Sequence, residues 1–222
     1  MLSMRSSQRG LNIVEIMISL VVLGVLIGLG APGFAEWLQN QQIRAAAEAT
    51  LNGLQVARGE AVRRNTPVRF QLVSDLTSTC VLASASVTAP VSVTWIVSLD
   101  DPSGACDRPT YHEETPPPAV RILQKRTSAE GSPNAVATSV FVPSPPAAPA
   151  AQAASTVTFA ALGNVIANAD ATPSIVKVDV TNPNVSPSAM RALRLIVNPG
   201  GSIRMCDPAL APPEPRGCPA FP

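Results

Sequence analysis

The chain has 222 residues, with 16 Lys and Arg against 15 Asp and Glu and a formal net charge of +1. So even a balance supplies no bulk positive charge for nucleic acid, and one Tyr with two Trp cannot build an aromatic platform for stacking single-stranded bases. Around the only histidine, His112 in the run His112-Glu113-Glu114, no Ser/His/Asp or Cys/His set assembles. There is also no Gly-rich phosphate loop and no metal-ligand cluster, so the chain is read as a non-enzyme without cofactor or metal.

Residues 1–10 form a short leader with Arg5 and Arg9 and no acid. An apolar run follows, with Glu15 at its lip and Ser19 its only hydroxyl from Ile16 to Ala31. Counted from Leu11 it is about 20 residues, enough for roughly 30 Å of helix and one bilayer crossing. A carboxylate at the start of such a run is costly to bury and marks a functional position. Pro32-Gly33 is expected to kink this helix rather than end it. Phe34 and Trp37 stand where aromatic rings favour a membrane interface. Further on, Ile43, Ala47, Leu51, Leu54 and Ala61 recur at steps of three, four and seven, one apolar face of a helix, while Arg44, Glu48, Asn52, Gln55 and Arg63 fall on other faces. Pro67 places the end of the helix near Asn65.

Seven β-branched or apolar runs come next: Val68–Val73, Val91–Leu99, Val120–Leu123, Val136–Val142, Thr156–Ile166, Ile175–Val180 and Ala192–Val197. A long helix followed only by strands predicts an α+β fold, one sheet resting on the second half of the helix. The stretch of about 155 residues after Pro67 suits one domain. Pro116-Pro117-Pro118 and Pro143–Pro149 read as solvated connectors, and the Pro-rich tail from Asp207 to Pro222 cannot be helix or central strand.

The N-terminal pattern resembles the class III signal of type IV pilins and type II secretion pseudopilins: a basic leader ending in Gly10, the apolar Leu11, then Glu15 and an apolar helix. Leu11 stands where the family usually has Phe, and Asn12-Ile13-Val14-Glu15 replaces the more usual Thr-Leu-Ile-Glu. An ordinary secretory signal would carry a small-residue cleavage site after its apolar run and no Glu inside it. The resemblance implies that a prepilin peptidase cuts between Gly10 and Leu11 and methylates the new N-terminus of Leu11. It also implies that Glu15 pairs with such a methylated amine when subunits assemble.

Leu54-Gln55-Val56-Ala57-Arg58-Gly59-Glu60-Ala61-Val62-Arg63-Arg64-Asn65-Thr66-Pro67-Val68 resembles the L-x-x-A-R-x-E-A-I-x-R-N-x-x-V signature of the GspH/FimT subfamily. Asn198-Pro199-Gly200-Gly201-Ser202-Ile203-Arg204-Met205-Cys206 is similar to the FimT ending in particular. The implied plan is a pilin-like fold, with a long N-terminal helix packed on an antiparallel β-sheet domain. Its parts are a leader (1–10), a transmembrane and filament-core segment (11–31), a periplasmic half-helix (32–66), a β-rich globular domain (67–206) and a tail (207–222). The implied role is a minor pilin or pseudopilin, anchored once in a bacterial inner membrane with its domain in the periplasm. It would be processed by the peptidase and assembled with other pilin subunits for secretion or pilus biogenesis.

The alternative role is DNA uptake. FimT-type proteins contact DNA through a Gly-Arg-x-Arg motif, and here Gly201-Ser202-Ile203-Arg204 keeps the second Arg only. Without Arg5 and Arg9 the chain holds 14 basic against 15 acidic residues, yet Arg191, Arg194, Arg204 and Arg216 leave a local patch open. A membrane-anchored periplasmic enzyme is a third reading, opposed by the missing catalytic set. Four cysteines allow three connectivities; Cys80–Cys106 and Cys206–Cys218 close the smallest loops, while zinc is disfavoured because no CxxC is present. In a periplasmic domain each bridge would contribute about 2–4 kcal/mol.

Overall fold

The computed structural model describes residues 12–83, 90–113, 115–141, 152–210 and 213–219, but not the side chains at 29–32, 141 and 152. Gly10 and Leu11, the expected cleavage point, lie outside these residues, as do Glu114 and the Pro143–Pro149 segment. The chain divides into two compact units, Met1–Leu38 and Gln39–Pro222.

Helix α1 runs Ile13–Arg64 and is shared by both units. Asn12 caps it, its Oδ1 accepting from Val14 N at 3.4 Å, and Glu15 in the first turn complements the positive end of the helix dipole. The helix stops as the sequence requires. Thr66 N donates to Ala61 O and Asn65 N to Val62 O, and Asn65 takes a left-handed φ of 51°, which together make a Schellman motif just ahead of Pro67. Among the described residues no single helix is long and apolar enough to cross a membrane. Ile13–Gly28 and Gly33–Arg64 pass that test only together, as a bent pair. The bend lies beside Pro32-Gly33, where a kink is expected. The break falls in 29–32, where Pro32 has no backbone N–H to give.

The second unit carries two antiparallel sheets rather than the one expected. Its strands are β1 (Val68–Leu72), β2 (Val91–Ser92), β3 (Trp95–Ser98), β4 (Ile122–Arg126), β5 (Val136–Phe141), β6 (Gln152–Ala153), β7 (Thr156–Phe159), β8 (Val165–Ile166), β9 (Lys177–Thr181), β10 (Leu193–Val197) and β11 (Ile203–Cys206). The first sheet is ordered β4-β3-β1-β7-β8 and the second β11-β10-β9-β5-β2, with β6 also on β5. Two expected strands are each split. Val91–Leu99 becomes β2 in one sheet and β3 in the other. Thr156–Ile166 becomes the hairpin β7–β8, turned at Gly163 with φ +77°. The strand β11 is not expected from the sequence, because Ile203-Arg204-Met205-Cys206 is too short to stand out; its pairing with β10 forms it.

Both sheets and the helix share one core. Ile43, Ala46, Ala47, Leu54, Ala57 and Ala61 of α1 meet Phe70, Trp95, Val157, Val178, Val180 and Leu195, all essentially buried. Phe70 and Trp95 pack with ring centroids 5.7 Å apart, against Gly53. A β-carbon at Gly53 would stand 2.9 Å from Phe70 Cε2 and 3.0 Å from Trp95, so the helix reaches these rings only because no side chain intervenes. On the other face of the first sheet, Val73, Ile96 and Ile122 form a second small cluster with Cys80 and Cys106, which are disulfide-bonded. Lys125 Nζ holds that loop by donating to the carbonyls of Cys106, Asp107 and Arg108 at 2.8–3.1 Å.

Gly53→Ala adds about 1 kcal/mol of helix propensity but drives a methyl into two rings, so a net loss of about 1–2 kcal/mol is expected in urea unfolding of the full chain. A second expectation concerns acid. Arg121 donates to both oxygens of Asp100 at 2.7 and 2.8 Å, and this pairing, against the opposing effect of burial, holds the Asp100 carboxyl below its ordinary value of 3.8. A lowered folded-state pKa adds stability above the unfolded value and loses it as pH falls through the folded one. Arg121→Met should therefore lose about 1 kcal/mol at neutral pH, discounted for partial exposure, and the deficit should close below pH 3.8 in pH-dependent melting.

Candidate functional site

Two regions hold the residues that the sequence singles out. The first is the start of α1. From Ile16 to Ala35 no charged residue occurs, and Ile13, Met17, Leu20, Val21, Leu26 and Ile27 are each more than 60 % exposed. The described apolar side chains of this stretch therefore point outward all round, and no described residue of its own unit covers them. Glu15 is exposed too; its carbonyl accepts from Ser19 Oγ at 2.7 Å. Phe34 and Trp37 stack at 5.7 Å, one turn apart on the helix.

The second region is the β10–β11 hairpin. Side chains alternate across it: Leu193, Leu195, Val197, Ile203 and Met205 face the core, while Arg194, Ile196, Arg204 and Cys206 face outward. Two cross-strand rows result on the outer face. In one, Asp179 of β9 lies opposite Arg194, which lies opposite Cys206; in the other, Lys177 lies opposite Ile196, which lies opposite Arg204. Asp179 takes up both neighbouring cations: Arg194 binds it with two nitrogens, at 2.5 and 3.1 Å, and Lys177 Nζ stands 3.4 Å away. Arg204 is exposed and meets Pro215 O at 3.5 Å. Arg191 is exposed beyond the start of β10, where its backbone N donates to Asn40 Oδ1 of α1 at 2.9 Å. Cys206 and Cys218 are disulfide-bonded and pack with Ile196, tying the tail against the hairpin.

Ser202, at the position where the basic motif would carry its first Arg, accepts from Asn198 Nδ2 at 2.9 Å inside the turn. Gly201, at the motif's glycine, has φ +78°, and a β-carbon there would stand 1.7 Å from Gly163 O. The glycine thus lets the tips of β7–β8 and β10–β11 touch, and Val165 N donates to Pro199 O at 2.9 Å beside them. Arg58 of α1 locks the junction by donating from Nε to Gly163 O at 3.1 Å.

Other signature residues also have internal tasks. Ala57 and Ala61 are fully buried. Glu60 binds Arg63 and Arg64 at 2.7 Å, and its bond to Arg63, outweighing burial, holds its carboxyl below the ordinary range. His112, exposed, shares a hydrogen bond with Thr110 Oγ1 at 3.1 Å. Among the described residues no group of three or more His, Cys, Asp or Glu could hold a metal ion. The contact of Gly163 with Gly201 and Arg58 was missed at the sequence level, since it joins three segments far apart in the chain.

Comparison with known proteins adds an independent line. The model of the family described as type II transport protein GspH matches residues 46–201. No curated protein matches the chain. Two crystal structures of the type IV minor pilin FimU of Pseudomonas aeruginosa (strain PAO1), in space groups P65 and P21, are similar with TM-scores of 0.41 and 0.42. Their sequences are 15 % and 17 % identical, and the alignments cover 77 % of this chain and 97 % and 92 % of theirs. The family match spans the α1 signature and the glycine junction; Glu15 and Arg204 lie outside it.

Replacing Gly201 by Ala forces a side chain into a left-handed backbone and against a carbonyl. A loss of about 2–4 kcal/mol is expected in denaturant unfolding, with faster amide exchange at both hairpin tips.

Proposed function

The chain belongs to the GspH family of type II transport proteins, and from that premise we propose that it is a minor pilin-type subunit, held in the inner membrane by the first half of α1 and built from there into a filament. One observation carries the reading: a helix start that is apolar all round, uncovered, and free of charge from Ile16 to Ala35 after Glu15. Such a surface requires lipid before assembly and other helices after it. Glu15 is tolerable in that setting only with a cationic partner, because an unpaired charge in an apolar core is strongly destabilising. The N-terminal amine freed by cleavage after Gly10 and methylated on Leu11 supplies that cation, from a neighbouring subunit or the same one. The role of Glu15 is recognition and register rather than bond-making.

Filament use in secretion or in pilus biogenesis is the proposed setting, with a prepilin peptidase as processing partner and the globular unit in the periplasm. We do not assign DNA contact to the hairpin. Asp179 already takes up Arg194 and Lys177, and Ser202 stands where a first Arg would be.

The test is intact-mass analysis of the protein from cells with and without prepilin peptidase, paired with Glu15→Ala. Loss of residues 1–10 and gain of one methyl group on Leu11, only with the peptidase present, is the expected result. Glu15→Ala should be processed and remain in the membrane, but be depleted at least about tenfold from sheared filaments. Normal incorporation of that variant would sink the role given to Glu15.

A further inference from the structure

Outside Ile13–Leu38, only three large apolar side chains among the described residues are strongly exposed: Val62 at 53 %, Val81 at 59 % and Leu162 at 90 %. Two of them are neighbours. Val62 lies one turn after Arg58 on α1, and its Cγ2 would be 3.3 Å from a β-carbon on Gly163, the residue after Leu162. Val62 is also the signature residue left without an internal task. Ala57, Ala61 and Val68 are core, Arg58 holds Gly163, and Glu60 pairs with Arg63 and Arg64, whereas the Val62 side chain faces out.

Gly59 supplies an independent observation. It sits in the interior of α1, exposed, with nothing within 4 Å of where a β-carbon would be. An exposed mid-helix glycine gives up helix stability relative to Ala. At Gly53 that loss is offset by the approach of Phe70 and Trp95; at Gly59 no atom of the described residues comes within 4 Å of a β-carbon. A glycine with this cost beside two exposed apolar side chains fits the close approach of another backbone.

The surface is rigid, because Arg58, Gly163 and Gly201 lock it, and its rim is basic. Arg58, Arg63 and Arg64 stand against Glu60 and Glu113, the latter 3.9 Å from Arg64, and among the described residues no carboxylate pairs with Arg58. We infer that Gly59, Val62 and Leu162 form a docking surface for a second pilin-type subunit, which presents apolar side chains to Val62 and Leu162, a backbone to Gly59 and a carboxylate to Arg58. This rests on the filament role proposed above and adds a contact made by the globular unit.

The test places a photo-crosslinking phenylalanine analogue at Leu162, and at Val81 as control, in the full chain in the producing cells. Products are identified by mass spectrometry in sheared filaments, with and without Gly59→Ala. The expected result is a crosslink from position 162 to a pilin-type subunit and none from position 81. Gly59→Ala should raise the melting temperature of the purified protein by about 2–4 °C yet lower the crosslink yield about tenfold. A purely structural role for Gly59 would not separate these two readouts. Unchanged yield in Gly59→Ala, or a crosslink to DNA, lipid or a secreted protein instead, would overturn the inference while leaving the filament role standing. Absence of the wild-type chain from filaments would overturn both.

Discussion

The globular unit depends on how closely α1 can approach its sheets. Gly53 lets the rings of Phe70 and Trp95 lie against the helix backbone, and Ala46, Ala47, Ala57 and Ala61 keep the rest of that face thin. Small residues on the helix and large ones on the strands interdigitate, which brings interior atoms within range of dispersion. With the helix so placed, β1 and β3 take one side of the shared core while β5, β9 and β10 take the other. Along the described strands the chain crosses between the sheets five times, most abruptly at Val93-Thr94 and at Ala154-Ser155.

Beyond the core the structure is held by polar fasteners at its edges. Lys125 satisfies its ammonium with three carbonyls of the Cys80–Cys106 loop. Gln39 and Gln42 of α1 accept from Asn182 and Asn134, and Asn40 donates to Ala189 O, so the β4–β5 loop and both ends of the β9–β10 loop are tied to the first turns of the helix in this unit. These neutral amide bonds need no ionised group and so keep their strength across pH and salt. The junction of Gly163, Gly201 and Arg58 does the same at the far end of α1, and there the contact is so tight that a glycine is required.

Helix α1 meets two unlike demands along its length. From Gln39 onward it is amphipathic, with one face buried and Arg44, Glu48 and Arg63 in solvent; from Ile16 to Ala35 it carries no charge, and its described large apolar side chains are exposed. The second half is stabilised by packing within its unit, whereas the described apolar side chains of the first are left exposed in theirs.

The sequence by itself determined the elements whose cause is local. The apolar period from Ile43 to Ala61, the stop at Asn65-Thr66-Pro67, and the uncharged run after Glu15 follow from side-chain type and spacing along the chain. The α+β class and the membership of the GspH family were legible there too, the latter in the Leu54–Val68 signature. Tertiary structure alone decided what depends on residues far apart: the division of Val91–Leu99 between two sheets, the existence of β11, the capture of Arg194 and Lys177 by Asp179, and the touch of Gly201 on Gly163. A strand is defined by its partner and a charge by its neighbours. Neither is a property of a segment read alone.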